Sequence, residues 1–163
     1  MRVAISADHA GFEMKRDLAA ELTRQGHDVL DLGTHSASPV DYPDCASSVA
    51  VAIRGGQADR GVIVCGSGAG VSIAANKFPG IRAAVVHDCY TAHQAVEHDD
   101  MNVLCLGGRV IGINVAQEIV RVFLAAAFTG EERHQRRLKK VLEIEARYLS
   151  DAGGARAPHG RSS

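Results

Sequence analysis

Gly61-Val62-Ile63-Val64-Cys65-Gly66-Ser67-Gly68-Ala69-Gly70-Val71-Ser72 is the stretch that decides how this chain folds. Residues 61–65 form an apolar run of strand length, which suits a strand buried on both faces. Glycines then occupy positions 66, 68 and 70, after which the apolar spacing becomes helical over 71–77. A strand that turns through glycines into a helix is half of a β-α-β unit. The same alternation runs outward in both directions. Upstream, Arg2–Ala7 is a compact apolar strand, followed by Gly11 and an amphipathic stretch over 12–25 that Gly26 closes. Residues 28–32 read as the next strand, ending at Gly33; a polar loop over 34–41 leads into a helix over Tyr42–Arg54. Downstream, 81–87 and 103–106 read as the fourth and fifth strands, with helices near 90–97 and 114–127.

Nearly all-apolar strands alternating with helices predict a parallel sheet covered on both faces. With right-handed crossovers the fold class is α/β: a Rossmann-like three-layer sandwich with a five-stranded parallel sheet. After Phe128 the character changes. Glu131 and Glu132 open a charged helix reaching about Leu149, with acids at the end its dipole favours. Leu138, Val141, Leu142 and Tyr148 give this appended C-terminal helix an apolar stripe at helical spacing, the kind of face that packs on a partner subunit. Residues 1–149 read as a single domain, and 150–163, rich in Gly, Ala, Arg and Ser, as a disordered tail.

Composition narrows the function. A chain of 163 residues suits one hydrophobic core. A net charge of −1 and 4% aromatic residues with no Trp argue against a nucleic-acid surface. No apolar run is long enough for a membrane span, and the N-terminus enters a strand directly, without a signal peptide's apolar segment. Cys45, Cys65, Cys89 and Cys105 show neither CxxC nor zinc spacing and read as free thiols of a reducing cytoplasm. No His and carboxylate trio has metal spacing, so neither metal nor cofactor is expected. The partner is then a small molecule or another protein chain.

In open parallel sheets, ligands bind beyond the carboxyl ends of the strands. Asp8-His9, the Cys65 to Gly70 segment and Gly107-Gly108-Arg109 all follow strands, so they are expected at one edge. The glycine loop fits neither the Walker pattern nor GxGxxG; it suits a phosphate cradle, a nucleotide loop or simply a tight turn. Cys65, at the strand's last position, is either a small apolar residue completing the strand or a base whose thiolate is favoured by the loop's amides and the helix start. His9 at that edge reads as a ligand for phosphate or a sugar hydroxyl, or as a loop hydrogen-bonding residue. His98 ends a helical run beside Asp99 and Asp100, carboxylates that favour a proton donor there, whereas His87 and His93 read as surface or packing residues. Arg133 and Arg137, four apart, share a helix face; two guanidinium groups there suit a phosphate dianion, although Arg136, Lys139 and Lys140 also make this a solvated basic face. Arg109 is the better-placed third cation.

Ala7-Asp8-His9-Ala10-Gly11, Asp41-Tyr42-Pro43, Cys65-Gly66-Ser67-Gly68, Ile73-Ala74-Ala75-Asn76-Lys77, Gly107-Gly108-Arg109 and Arg133-His134 together resemble the B-type ribose-5-phosphate isomerases, in order and spacing, across residues 1–149. The superfamily also includes isomerases for allose 6-phosphate, galactose 6-phosphate and tetrose phosphates. The resemblance implies a cofactor-free aldose–ketose isomerase of pentose phosphate metabolism, with Cys65 moving a proton between C1 and C2 through a cis-enediolate. Amides of Gly66, Gly68, Ala69 and Gly70 would hold the enediolate oxygen, and Ser67 and His98 would assist ring opening. Asp8 and Tyr42 would contact sugar hydroxyls. His9, Arg109, Arg133 and Arg137 would bind phosphate, some of them across a homodimer, or a dimer of dimers, with a shared site. One branch of the family uses a Glu in the glycine loop as base; Val71 follows Gly70 here and Cys65 is present, which fits the Cys branch. Better-known members carry Asn after the His, where this chain has Asp99 beside the substrate, so the preferred sugar stays open. The reading from a different class is a non-catalytic sugar-phosphate binding module.

Overall fold

The computed structural model describes residues 1–149; the tail expected to be disordered lies outside the described residues. The chain runs β1 Arg2–Ala7, α1 Phe12–Arg24, β2 Asp28–Asp31, α2 Tyr42–Arg54, β3 Arg60–Cys65, α3 Ala69–Ala75, β4 Ala83–Val85, α4 Cys89–Asp99, β5 Val103–Gly107, α5 Ile113–Ala125 and α6 Glu132–Leu149. All strand pairs are parallel, in the order β2-β1-β3-β5-β4. The α/β sandwich and the appended helix are as expected from the alternation.

Alternate residues of each central strand feed two separate cores. Val3, Ile5, Val62, Val64, Leu104 and Leu106 pack with Leu18 and Leu22 of α1, Val96 of α4 and Ile119 and Phe123 of α5. Ala4, Ile63, Cys65, Val103 and Cys105 face the other way, onto Val49 and Ala50 of α2 and Val71 and Ala75 of α3. This is why the strands look continuously apolar in the sequence: both faces are covered. The strand order reverses between β1 and β3, so the crevice at their carboxyl ends is the switch point where such folds bind ligands.

Of the boundaries that differ from the sequence reading, three have a visible cause. The fourth strand is only Ala83–Val85, because β4 is an edge whose outer side is met by Asn76: its amide oxygen accepts from the Ala83 N–H and its amide nitrogen donates to the Ala83 carbonyl, both at 2.8 Å. The third helix starts two residues early, within the glycine loop, since Gly68 adopts φ +83° and turns the chain directly into it. The fifth helix stops at Ala125, where the Arg60 guanidinium donates to the carbonyls of Phe123 and Ala126. No described helix is long and apolar enough to cross a membrane.

Beyond the sandwich, α6 is held lightly. His134 is its one fully buried residue among those described, Glu145 accepts from the Gly80 N–H at 2.8 Å, and Val141, Ile144 and Tyr148 are 50%, 60% and 68% exposed. A groove of about 550 Å³ runs between α6 and the β4 side of the sandwich, lined by Ile81, Ala83, Met101, Val141, Ile144 and Tyr148 among others.

Candidate active site

The switch-point crevice is built from backbone first. The Asp8 N–H donates to the Val64 carbonyl, the Gly108 N–H to that of Cys65 and the Arg109 N–H to that of Gly66. The loops after β1, β3 and β5 are therefore stitched together, and Asp8, Cys65 and Arg109 share one edge. Cys65 is 5% exposed, and its Sγ accepts the Gly68 N–H at 3.0 Å. Beneath it, burial drives the Cys105 thiol far upward, so Cys105 stays a neutral core thiol.

Around this sulfur the other residues are arranged at close range. A Cβ on Gly66 would stand 3.8 Å from an Arg109 guanidinium nitrogen, so that side chain lies over the loop. A Cβ on Gly70 would stand 2.9 Å from the Tyr42 ring; only glycine lets the first residue of α2 lie against the loop. Asp8 spends one oxygen on its own turn, accepting from the N–H groups of Ala10 and Gly11 at 2.9 and 3.0 Å. Its other oxygen is not part of that turn. His9 is exposed, and its Nδ1 accepts from the Val40 N–H at 3.4 Å. Ser67 and Ala69 sit exposed on the rim of the loop.

His98, Asp99, Arg133 and Arg137 are elsewhere. Helix α4 leaves the crevice side at Asp88 and has 11 residues, about 16 Å of helix, which delivers His98 to the opposite edge of the sheet. There Asp100 is engaged by Arg82, just ahead of β4, with Nη2 to Oδ2 at 2.6 Å, so it is not the neighbour His98 was expected to have. His98 instead stacks on His134, ring centroids 4.0 Å apart, with Gln94 at its Nδ1. Arg133 pairs with Glu131 at 2.9 Å, and Arg137 and Asp99 both line the groove beside α6. One chain thus carries two candidate half-sites that do not meet.

Two contributors escaped the sequence reading. His87, expected to be a surface or packing residue, accepts the Gly107 N–H at 2.9 Å and so fixes the start of the Arg109 turn. Its position at the carboxyl end of the fourth predicted strand was the available signal. His134 stood next to Arg133 in a quoted motif, but nothing local in the sequence reveals the ring it stacks on.

The ribose/galactose isomerase family model matches residues 3–141. The chain belongs to that family. It is 45% identical over 146 residues to ribose-5-phosphate isomerase B of Escherichia coli K12, covering 90% of this chain and 97% of that one. The fold superposes on ribose-5-phosphate isomerase B of Clostridium thermocellum with a TM-score of 0.89 at 48% identity, covering 91% and 99%. It also matches the Mycoplasma genitalium isomerase B with bound ribulose-5-phosphate, with a TM-score of 0.83 at 39% identity, covering 88% and 95%. Family membership accounts for the shared architecture, including the appended helix.

Proposed function

We propose that this protein interconverts D-ribose 5-phosphate and D-ribulose 5-phosphate, working in the cytoplasm as a homodimer, or dimer of dimers, with a shared site. The observation that carries this is the Cys65 sulfur seated in the amide-lined crevice, within a family whose relatives include a ribulose-5-phosphate-bound isomerase. The reading of the chemistry starts from a furanose. His98 Nε2 carries the proton of the anomeric hydroxyl to the ring oxygen as the C1–O bond breaks, with Ser67 hydrogen-bonding the opening sugar. The Cys65 thiolate then takes the proton from C2 of the open aldose. The electron pair moves into a C1–C2 double bond, and the carbonyl oxygen becomes an enediolate oxygen held by N–H groups of the Gly66 to Gly70 loop. Proton exchange between the two oxygens and return of the proton from Cys65 to C1 give the ketose. Asp8 and Tyr42 hold sugar hydroxyls; His9, Arg109, Arg133 and Arg137 hold the phosphate, and Asp99 borders the sugar.

The separation of the half-sites supports the second chain. His98, Arg133 and Arg137 act on the Cys65 crevice only if a partner copy brings its opposite edge to it. The exposed apolar face of α6 gives that partner a surface to cover. The four free cysteines fit a reducing compartment. The test is turnover of ribose, allose, galactose and erythrose phosphates with and without EDTA. Fastest conversion of ribose 5-phosphate, indifferent to EDTA, is expected. Preference for another sugar keeps the mechanism and changes the substrate, with Asp99 the first residue to exchange for Asn. No turnover on any sugar leaves a sugar-phosphate binding module.

A further inference from the structure

His134 is 1% exposed and lies with 22° between its ring plane and that of His98. Its Nε2 accepts the Arg133 Nε–H at 3.1 Å. A guanidinium nitrogen only donates, so the ring proton of His134 sits on Nδ1. That atom is buried without a hydrogen-bond partner, an arrangement that packing alone seldom leaves in a folded protein. Burial, then the nearby His98 and Arg133, push His134 below the usual histidine range, with Glu131 opposing and Arg137 adding a little. The ring is therefore a neutral, fixed plate against one face of His98. On the rim of His98, the Gln94 amide nitrogen is 3.0 Å from Nδ1. Of the two nitrogens of His98, Nε2 is the one left to exchange a proton.

We infer that His134 is a positioning residue: stacked on His98, and together with Gln94 at Nδ1, it holds that ring so that Nε2 faces the anomeric centre during ring opening. This rests on the sugar-phosphate isomerase reading above. It assigns to the α6 side of the shared site a duty besides phosphate binding, since the helix that carries Arg133 and Arg137 also sets the orientation of the proton carrier.

The first readout needs no activity. Nitrogen-15 spectra of the wild-type protein at neutral pH should show His134 neutral with its proton on Nδ1, and His98 in one dominant tautomer that becomes mixed in His134→Ala. A charged His134, or an unchanged His98 in that variant, overturns the inference. The second readout is kinetic, with ribose 5-phosphate deuterated at C2. His134→Ala should lower kcat about tenfold with KM held within about twofold, and the isotope effect should fall toward one as ring opening becomes limiting. His134→Phe, which can still stack, should recover most of kcat and the isotope effect. An alanine variant with the wild-type isotope effect, or a phenylalanine variant as impaired as alanine, overturns it. If the wild-type protein turns over no sugar phosphate, the proposed function fails, while the nitrogen-15 result still decides the stacking.

Discussion

The two edges of the sheet are built by different means. At the crevice edge, backbone hydrogen bonds between neighbouring loops fix Asp8, Cys65 and Arg109, and glycine at position 70 lets Tyr42 close over the loop. At the opposite edge, His98 ends α4 of the sandwich, but Arg133 and Arg137 lie on a helix outside it, tied down by one buried histidine and few polar contacts. The first edge is made by the fold itself. The second is an attachment to it, and its apolar face is still uncovered in a single chain. Under the proposed function, the base comes from the first edge and the proton carrier from the second edge of another copy, which links catalysis to assembly.

The largest effect should come from the rigid edge. Cys65→Ala removes the proposed base and should lower turnover by about a thousandfold or more, while sugar-phosphate affinity stays within about tenfold, or roughly 1.4 kcal/mol. Steady-state rates and calorimetric titration check this together. Near-normal turnover would show that the crevice edge binds and does not catalyse.

The contrast between the edges is broken or kept by mixing two dead variants. Cys65→Ala and His98→Gln should each be inactive. Co-refolded in equal amounts, they should regain about one quarter of wild-type activity, since half the dimers are mixed and each mixed dimer holds one intact shared site. A mixture that stays inactive would mean that the two edges do not serve one reaction across a symmetric dimer. A smaller effect is expected from Arg137→Ala, which should raise KM about tenfold with kcat changed much less; the reverse split would remove Arg137 from phosphate binding.

The sequence was informative where local rules decide the outcome. Continuous apolar runs and the glycine loop after residue 65 predicted the two-faced sheet and the shared edge of Asp8, Cys65 and Arg109, because strand ends and switch points follow from topology. It was less informative where tertiary partners decide. Nothing near residue 98 says that Arg82 will claim Asp100, or that a ring 36 positions later will stack on the histidine. Periodicity showed the apolar stripe of α6 but not that most of it would face outward. The early start of α3 was missed because a positive φ at Gly68 is a backbone choice that side-chain spacing does not record.

The smallest effect concerns acid and the lightly held edge. His134 has a folded-state pKa depressed chiefly by burial, with His98 and Arg133 adding to it against Glu131. A histidine that is harder to protonate when folded contributes stability that is fully present above its unfolded value of about 6.5 and is lost as the pH falls through the folded one. The groups facing it are His98 from α4 and Glu131, Arg133 and Arg137 from the start of α6. Of these, His98 lies face to face with the ring and disfavours a charge on it. Melting temperatures taken at about pH 7.5 and about pH 5.5 should therefore fall more for the wild-type protein than for His134→Phe, which has no proton to gain. An equal fall in both would mean that His134 titrates in the folded chain as it does in the unfolded one. The ring would then be reached by water and would not be a dry plate beneath His98, and the second edge would be looser than its buried histidine implies.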